Sequence, residues 1–269
     1  MSGRGRARLV AERLSPRDWE ILKSLRQLQL LTGHQLQRLH FAVGRPDTQA
    51  RKTRAALQRL FTLELVVRLR RRIGGLRTGS AGYLYGLSGL GAAVLDLGQA
   101  PSQRHRRAYE AQTAFQDHTL AVAETYVQLV ERTRAGRAEL LDFTFEPRCW
   151  RTFYGVGGAL TTLKPDGYAR VGIGGWEYST FLEIDLNSES APTIRRKLEA
   201  YVRYWNSGAE QRQYGVFPRV WWFVPDGTRA AVITREIHKL LKEARVLFRV
   251  GLLHEAADVL TQPTEGGAR

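Results

Sequence analysis

Three stretches carry acidic and basic side chains at spacings that suit phosphate-ester chemistry: Lys164-Pro165-Asp166-Gly167, Phe181-Leu182-Glu183-Ile184-Asp185, and Lys197 with Tyr201. Alternation along a strand sends Leu182, Ile184 and Leu186 toward a core and Glu183 and Asp185 together to the opposite face. Asp166, at a turn between strands, would join them there. Three converging carboxylates are costly without a countercharge, and a hard divalent cation held by oxygens resolves that cost. Mg²⁺ or Mn²⁺ in such a cradle suits phosphodiester cleavage. Asp166, Glu183 and Asp185 are therefore the candidate metal ligands and, with Lys197, the candidate catalytic set. On the helix that follows, Lys197, Tyr201 and Tyr204 share one face at i, i+4, i+7 spacing, with Leu198, Val202 and Trp205 on the other. The plainer reading makes Glu183 and Asp185 solvent-facing strand residues and Lys197 a surface lysine.

Other chemistries find less support. The single cysteine, Cys149, excludes an intramolecular disulfide and a cysteine-based zinc site. The histidines (His34, His40, His105, His118, His238 and His254) include no pair one residue apart, so the His-x-His metal site of tyrosine relaxases is missing. Tyr201 and Tyr204 read as packing residues before they read as nucleophiles, and His118 as a hydrogen-bonded core histidine before a ligand. Gly155-Val156-Gly157-Gly158 and Gly172-Ile173-Gly174-Gly175 lack the Gly-Lys-Ser/Thr of a phosphate loop and read as turns.

Charge separates the chain into two parts. Residues 1–107 hold 21 Lys and Arg against 6 Asp and Glu, which is the whole formal charge of +15, and residues 108–269 hold 20 of each. So concentrated a positive charge repels itself without a polyanion, and nucleic acid fits better than a solvated basic surface or an anionic membrane. The preference for arginine agrees, since a guanidinium forks onto phosphates and guanines. No stretch approaches the ~20 apolar residues of a membrane span, and Arg4, Arg6 and Arg8 stand where a signal peptide would be apolar. A cytoplasmic protein without a membrane partner is expected.

The elements that would present these groups follow from periodicity. Ser15-Pro16-Arg17-Asp18 opens a helix carrying Ile21, Leu22, Leu25 and Leu28, and Thr32-Gly33-His34-Gln35 opens a second with Leu36, Leu39 and Phe41. After Gly44-Arg45-Pro46-Asp47, a third places Ala50, Thr53, Leu57, Leu60 and Phe61 on one face and Arg51, Arg54 and Gln58 on another. Val66 to Ile73 and Tyr83 to Leu87 form a hairpin across a glycine-rich turn. Three helices and a hairpin are the order of a winged helix-turn-helix. Arg51, Arg54 and Gln58 would enter the major groove, flanked by Lys52 and Arg59, and Arg68, Arg70, Arg71, Arg72 and Arg77 would lie along the phosphates. The competing reading leaves the third helix as the exposed face of a bundle, and winged helices also mediate protein contacts.

The expected layout is a basic flexible N-terminus (1–14), the winged helix (15–98), a linker (99–107), a mixed α/β domain (108–258) and a flexible tail (259–269). The α/β domain starts with a helix from about Tyr109 to Arg134. Strands follow at 140–145, 159–163, 168–173, 180–186, 216–224 and 246–252, with helices at 192–206 and 229–244, one on each side of a central sheet.

The order Pro-Asp, then Glu-x-Asp, then a lysine-bearing helix resembles the site of the PD-(D/E)xK nuclease fold. With the winged helix, His118-Thr119-Leu120-Ala121-Val122, Lys164-Pro165-Asp166-Gly167 and Phe181-Leu182-Glu183-Ile184-Asp185, the chain from about 15 to 255 resembles the replication-relaxation family of actinobacterial plasmids and integrative elements. The resemblance implies a DNA-binding protein of plasmid or mobile-element replication or conjugative transfer, with Asp166 and Glu183 at the nuclease fold's metal carboxylates. Where that fold carries its lysine, two residues after the strand glutamate, this chain has Asp185. Lys197 would take the lysine's place from the helix, and Glu124 or Glu131 would supply a further acid. Two functions stay open: a metal-dependent endonuclease or nickase, and a noncatalytic origin-binding accessory protein or transcriptional regulator. Other replication or transfer proteins and a second copy of the chain are the further partners considered.

Overall fold

The computed structural model of the chain describes residues 3–70, 82–97, 113–136 and 138–263. They belong to two compact units, Met1–Val127 and Gln128–Arg269.

The first unit begins with α1 (Gly3–Ala11), a helix where a flexible arm was expected. Its Ala7 is fully buried. The helix α2 (Pro16–Leu28) starts at the anticipated capping box, Ser15 accepting from Asp18 N–H while the Asp18 carboxylate accepts from Ser15 N–H at 2.8 Å. A short strand, β1 (Leu30–Thr32), leads into α3 (Gly33–His40), where Thr32 and Gln35 repeat the device. Next come α4 (Pro46–Thr62), β2 (Val66–Arg70), β3 (Tyr83–Leu87) and α5 (Gly89–Leu95). The three strands form an antiparallel sheet in the order β1-β3-β2. Ile21, Leu22, Leu36, Leu57, Leu60 and Leu84 supply the buried side chains between helices and sheet. Phe61, expected on the apolar face of α4, is instead partly exposed and covered by the Arg68 guanidinium, 4.4 Å from its ring centre.

The helix α6 (Thr113–Arg134) contributes to both units. Its first part belongs with α3: Gln35 donates to the Leu120 carbonyl at 3.2 Å and to Glu124 at 3.0 Å, Arg38 pairs with Glu124, and Leu120 packs on Leu30 and Leu84. The division therefore falls after Val127 and not near residue 107.

The second unit is built on a five-stranded sheet of β4 (Glu139–Phe145), β7 (Gly167–Ile173), β8 (Trp176–Ile184), β9 (Arg219–Val224) and β10 (Phe248–Leu252), in the order β10-β9-β8-β7-β4. The β8–β9 and β9–β10 pairs are parallel, and the β7–β8 and β4–β7 pairs antiparallel. Between β4 and β7 stands a hairpin of β5 (Arg151–Tyr154) and β6 (Leu160–Leu163); β5 was not anticipated, and the expected turn at 155–158 joins the two. Helices α7 (Ala191–Ser207), α8 (Ala209–Tyr214), α9 (Gly227–Ile237), α10 (Lys242–Arg245) and α11 (Ala256–Leu260) complete the unit.

The helices α7 and α9 do not flank the sheet on opposite sides. Ile194, Leu198 and Tyr201 of α7 share one core with Ile233 of α9 and with Phe181 and Trp222 of the sheet. The topology dictates this: the crossovers β8-α7-β9 and β9-α9-β10 step in the same direction along the sheet, so one handedness places both helices on one face. Leu198, placed on the face opposite Tyr201 and Tyr204, is fully buried with both of them.

Candidate functional site

In the second unit the site is organised by the central position of β8. Flanked by β7 and β9, its C-terminal half is covered on both faces, and Phe181, Leu182, Glu183 and Ile184 are all buried. Glu183 is 1% exposed, which excludes the reading of a solvent-facing strand residue. Its two oxygens are engaged by α7: Lys197 Nζ donates to Oε2 at 2.8 Å and the Tyr201 hydroxyl to Oε1 at 2.6 Å. The i, i+4 spacing of Lys197 and Tyr201 brings both donors over one strand position. Lys197 is shared with Glu189, 2.6 Å away in the segment between β8 and α7, and lies 5.5 Å from the Trp222 ring centre.

Asp166 reaches the same place through the backbone. Its N–H donates to the Leu182 carbonyl at 3.0 Å, and its carboxylate accepts the Ile184 N–H at 2.7 Å. The side chain thus bonds β8 just before β7 begins to pair with it. The Cys149 thiol, 3.0 Å from the Pro165 carbonyl, holds the turn from inside the core. Glu146, at the end of β4, completes the group, with carboxylate oxygens of Glu146 and Asp166 within 4.8 Å of each other. Sequence reasoning missed Glu146; its one sequence signal is an acid immediately before Pro147 at a strand end.

Burial raises the Glu183 carboxyl to about 7, with Lys197 opposing the rise and Asp166 adding to it. Burial works against the Lys197 charge, yet Glu183, Asp166 and Glu189 together hold the ammonium protonated and raise it. Tyr201 is pushed well above its ordinary value by burial and by Glu183, so it is a hydrogen-bond donor and not a phenolate.

Asp185 departs from the expected constellation. Among the described residues, Asp166, Glu183 and Asp185 do not close on one another as a three-carboxylate cluster. Asp185 lies one residue past the end of β8, its N–H donating to the Phe223 carbonyl, and its side chain is turned to the start of α9. There it accepts from Arg229 Nε at 2.8 Å, from Arg229 Nη2 and from the Ser188 N–H at 3.1 Å. Arg229 also donates to the Glu189 carbonyl at 2.6 Å, so the pair ties β8, the segment after it and α9 together. The proposed additional acid Glu124 is taken up by Gln35 and Arg38 in the first unit.

In the first unit, the outward face of α4 is basic. Arg51, Lys52, Arg54 and Gln58 are exposed, while Thr53, Leu57 and Leu60 face the core. Arg51, Lys52 and Arg54 have no carboxylate partner among the described residues. Arg54 Nε donates back to the Ala50 carbonyl at 3.3 Å. Arg59 differs from its expected flanking role, because its guanidinium bonds the buried carboxylate of Asp18. Arg68 rests over Phe61 and Tyr83 and donates to Gln58 at 3.3 Å. Arg70 ends β2, and Arg71, Arg72 and Arg77 lie outside the described residues. No helix among the described residues is long and apolar enough to cross a membrane.

No curated protein and no solved structure matches the chain. The family model described as Replication-relaxation matches residues 22–220, from within α2 to β9, and so takes in the basic face of α4 and the Asp166, Glu183 and Lys197 group alike. That match spans most of the sequence, and the chain belongs to the replication-relaxation family, which implies a role in plasmid replication or relaxation.

Proposed function

We propose that the protein binds double-stranded DNA in plasmid or mobile-element replication or transfer, through an N-terminal winged helix that lays α4 in the major groove and the β2–β3 hairpin along the backbone. One observation carries the reading: Arg51, Lys52 and Arg54 stand exposed and without carboxylate partners on a helix whose other face is locked into the core by Thr53, Leu57 and Leu60. Cations left uncountered on a rigid helix are what phosphates and guanine edges recruit. The helices α2, α3 and α4 with a β1-β3-β2 antiparallel sheet, its β2 and β3 following α4, support the same docking geometry. Arg59 is left out of the groove set, since Asp18 holds it.

Gel-shift titration on duplex DNA from the protein's own replication origin tests this. Arg51→Ala and Arg54→Ala weaken binding to the origin by about 1–3 kcal/mol each and affect random duplex less. Arg68→Ala lowers affinity on both DNAs alike. Equal losses on both DNAs from the α4 and the Arg68 changes would refute the groove assignment.

A second reading, metal-dependent nicking or cleavage, is favoured by the Glu146 and Asp166 pair. Two hard carboxylates within 4.8 Å of each other suit one Mg²⁺ or Mn²⁺. Glu146 and Asp166 would hold the ion, which would supply Lewis acidity toward a phosphodiester. Glu183 stands beside them with its charge balanced by Lys197, and Asp185, committed to Arg229, has no part. Supercoiled origin plasmid incubated with Mg²⁺ or Mn²⁺ gives relaxed or linear product that EDTA, Asp166→Ala and Glu146→Ala each abolish. Binding without cleavage under those conditions would leave the noncatalytic origin-binding role.

A further inference from the structure

We propose that the β5–β6 hairpin is a second nucleic-acid contact, on which an unpaired DNA base stacks against Tyr154 while the adjoining phosphates lie on Arg148 and Lys164. The inference rests on the DNA-binding reading above and extends it to the second unit.

The hairpin has two unlike faces. Phe153 and Leu163 are buried in the core beneath α7, which fixes the hairpin to the unit. On the outer face Thr152 pairs with Thr162 and Tyr154 with Leu160, and all four are exposed. Tyr154 is 73% exposed and Leu160 68%. The turn between them carries Gly157 and Gly158 at φ 76° and 77°. That conformation lets another chain approach the tip closely.

Charge selects the occupant. From Pro147 to Pro165 the chain holds Arg148, Arg151 and Lys164 and no acid. Arg151 is committed to Glu210, but Arg148 is exposed with no carboxylate partner among the described residues. Lys164 is exposed too, its ammonium held 4.6 Å from the Trp150 ring centre. An exposed aromatic ring near the tip of the hairpin, with cations at its base, supplies the two parts by which single-stranded nucleic acid is held, a ring for the bases and cations for the phosphates. The hairpin's ends also fall at the site: Glu146 precedes it and Asp166 follows it. A strand laid along the hairpin is thereby led toward the two carboxylates.

The test uses the full chain, fluorescence anisotropy and two labelled DNAs of one sequence, a blunt duplex and a duplex with a short unpaired bubble. Wild type binds the bubble more tightly. Tyr154→Ala weakens bubble binding about tenfold, leaves blunt-duplex binding unchanged and is rescued by Tyr154→Trp. Arg148→Ala with Lys164→Ala lowers the salt dependence on the bubble alone. Wild-type and Tyr154→Ala proteins binding the bubble equally, with Arg51→Ala still weakening duplex binding, would overturn the hairpin proposal and leave the α4 interface standing. Failure of the wild type to bind either DNA would overturn both.

Discussion

Glu183 shows how one side chain is set by its surroundings. A carboxyl at the centre of a sheet loses hydration in its charged form, and Lys197 restores only part of that loss. The folded carboxyl, at about 7, holds its proton more tightly than the ordinary value of 4.5. Its contribution to stability is therefore fully present below about 4.5 and is lost as pH rises through about 7. Glu183→Gln, neutral at every pH, removes that dependence. Thermal unfolding from pH 4 to pH 8 will show the wild type losing stability relative to Glu183→Gln as pH rises; a growing wild-type advantage would mean that the ion pair with Lys197 outweighs burial. Spacing offered Asp166, Glu183 and Lys197 as a group beside the plainer reading of surface residues, and the resemblance to the nuclease order was what drew them together. Asp185 was misplaced because alternation was carried one residue beyond the strand's end, and the competing partner, Arg229, lies 44 positions away, where no local pattern points to it.

At the scale of elements, propensity and capping set most of the boundaries. The two capping boxes start α2 and α3 where the sequence places them, because Ser15 and Thr32 satisfy N–H groups that the first turn leaves open. What local signals could not give were packing partners. Periodicity assigns α7 and α9 as helices but is silent on which face of the sheet they cover; the shared direction of the parallel crossovers decides it. The hairpin strand β5 escaped notice because Arg151-Thr152-Phe153-Tyr154 is short and lies against a single partner strand. Close approach between elements gives a sharp test in the first unit. A Cβ on Gly91 of α5 would stand 2.1 Å from the Leu65 carbonyl oxygen and 2.8 Å from Leu87 Cδ1. Gly91→Ala therefore destabilises the first unit by at least about 1–3 kcal/mol, whereas Gly89→Ala, with open space around its Cβ, does not. Calorimetric melting of the two variants checks the difference, and equal melting temperatures would contradict the tight seating of α5.

For the whole molecule, charge was the most informative property. The excess of +15 falls entirely within residues 1–107, and the structure presents part of it, Arg51, Lys52 and Arg54, on the outward face of one helix. The second unit, with 20 Lys and Arg against 17 Asp and Glu, places Glu146 and Asp166 at the two ends of the hairpin that carries Arg148 and Lys164. The proposed division of labour places duplex recognition in the first unit and the handling of an exposed strand in the second. The direct measurement of the central claim is the salt dependence of duplex binding by the full chain, followed by anisotropy on origin DNA. Each phosphate neutralised steepens the logarithmic dependence by about 0.9. The account predicts a steep linear fall in affinity with salt, reduced by Arg68→Ala, and tighter binding to origin than to random sequence that Arg51→Ala and Arg54→Ala erase. No measurable duplex binding at low salt, or binding indifferent to salt and to all three arginines, would contradict it.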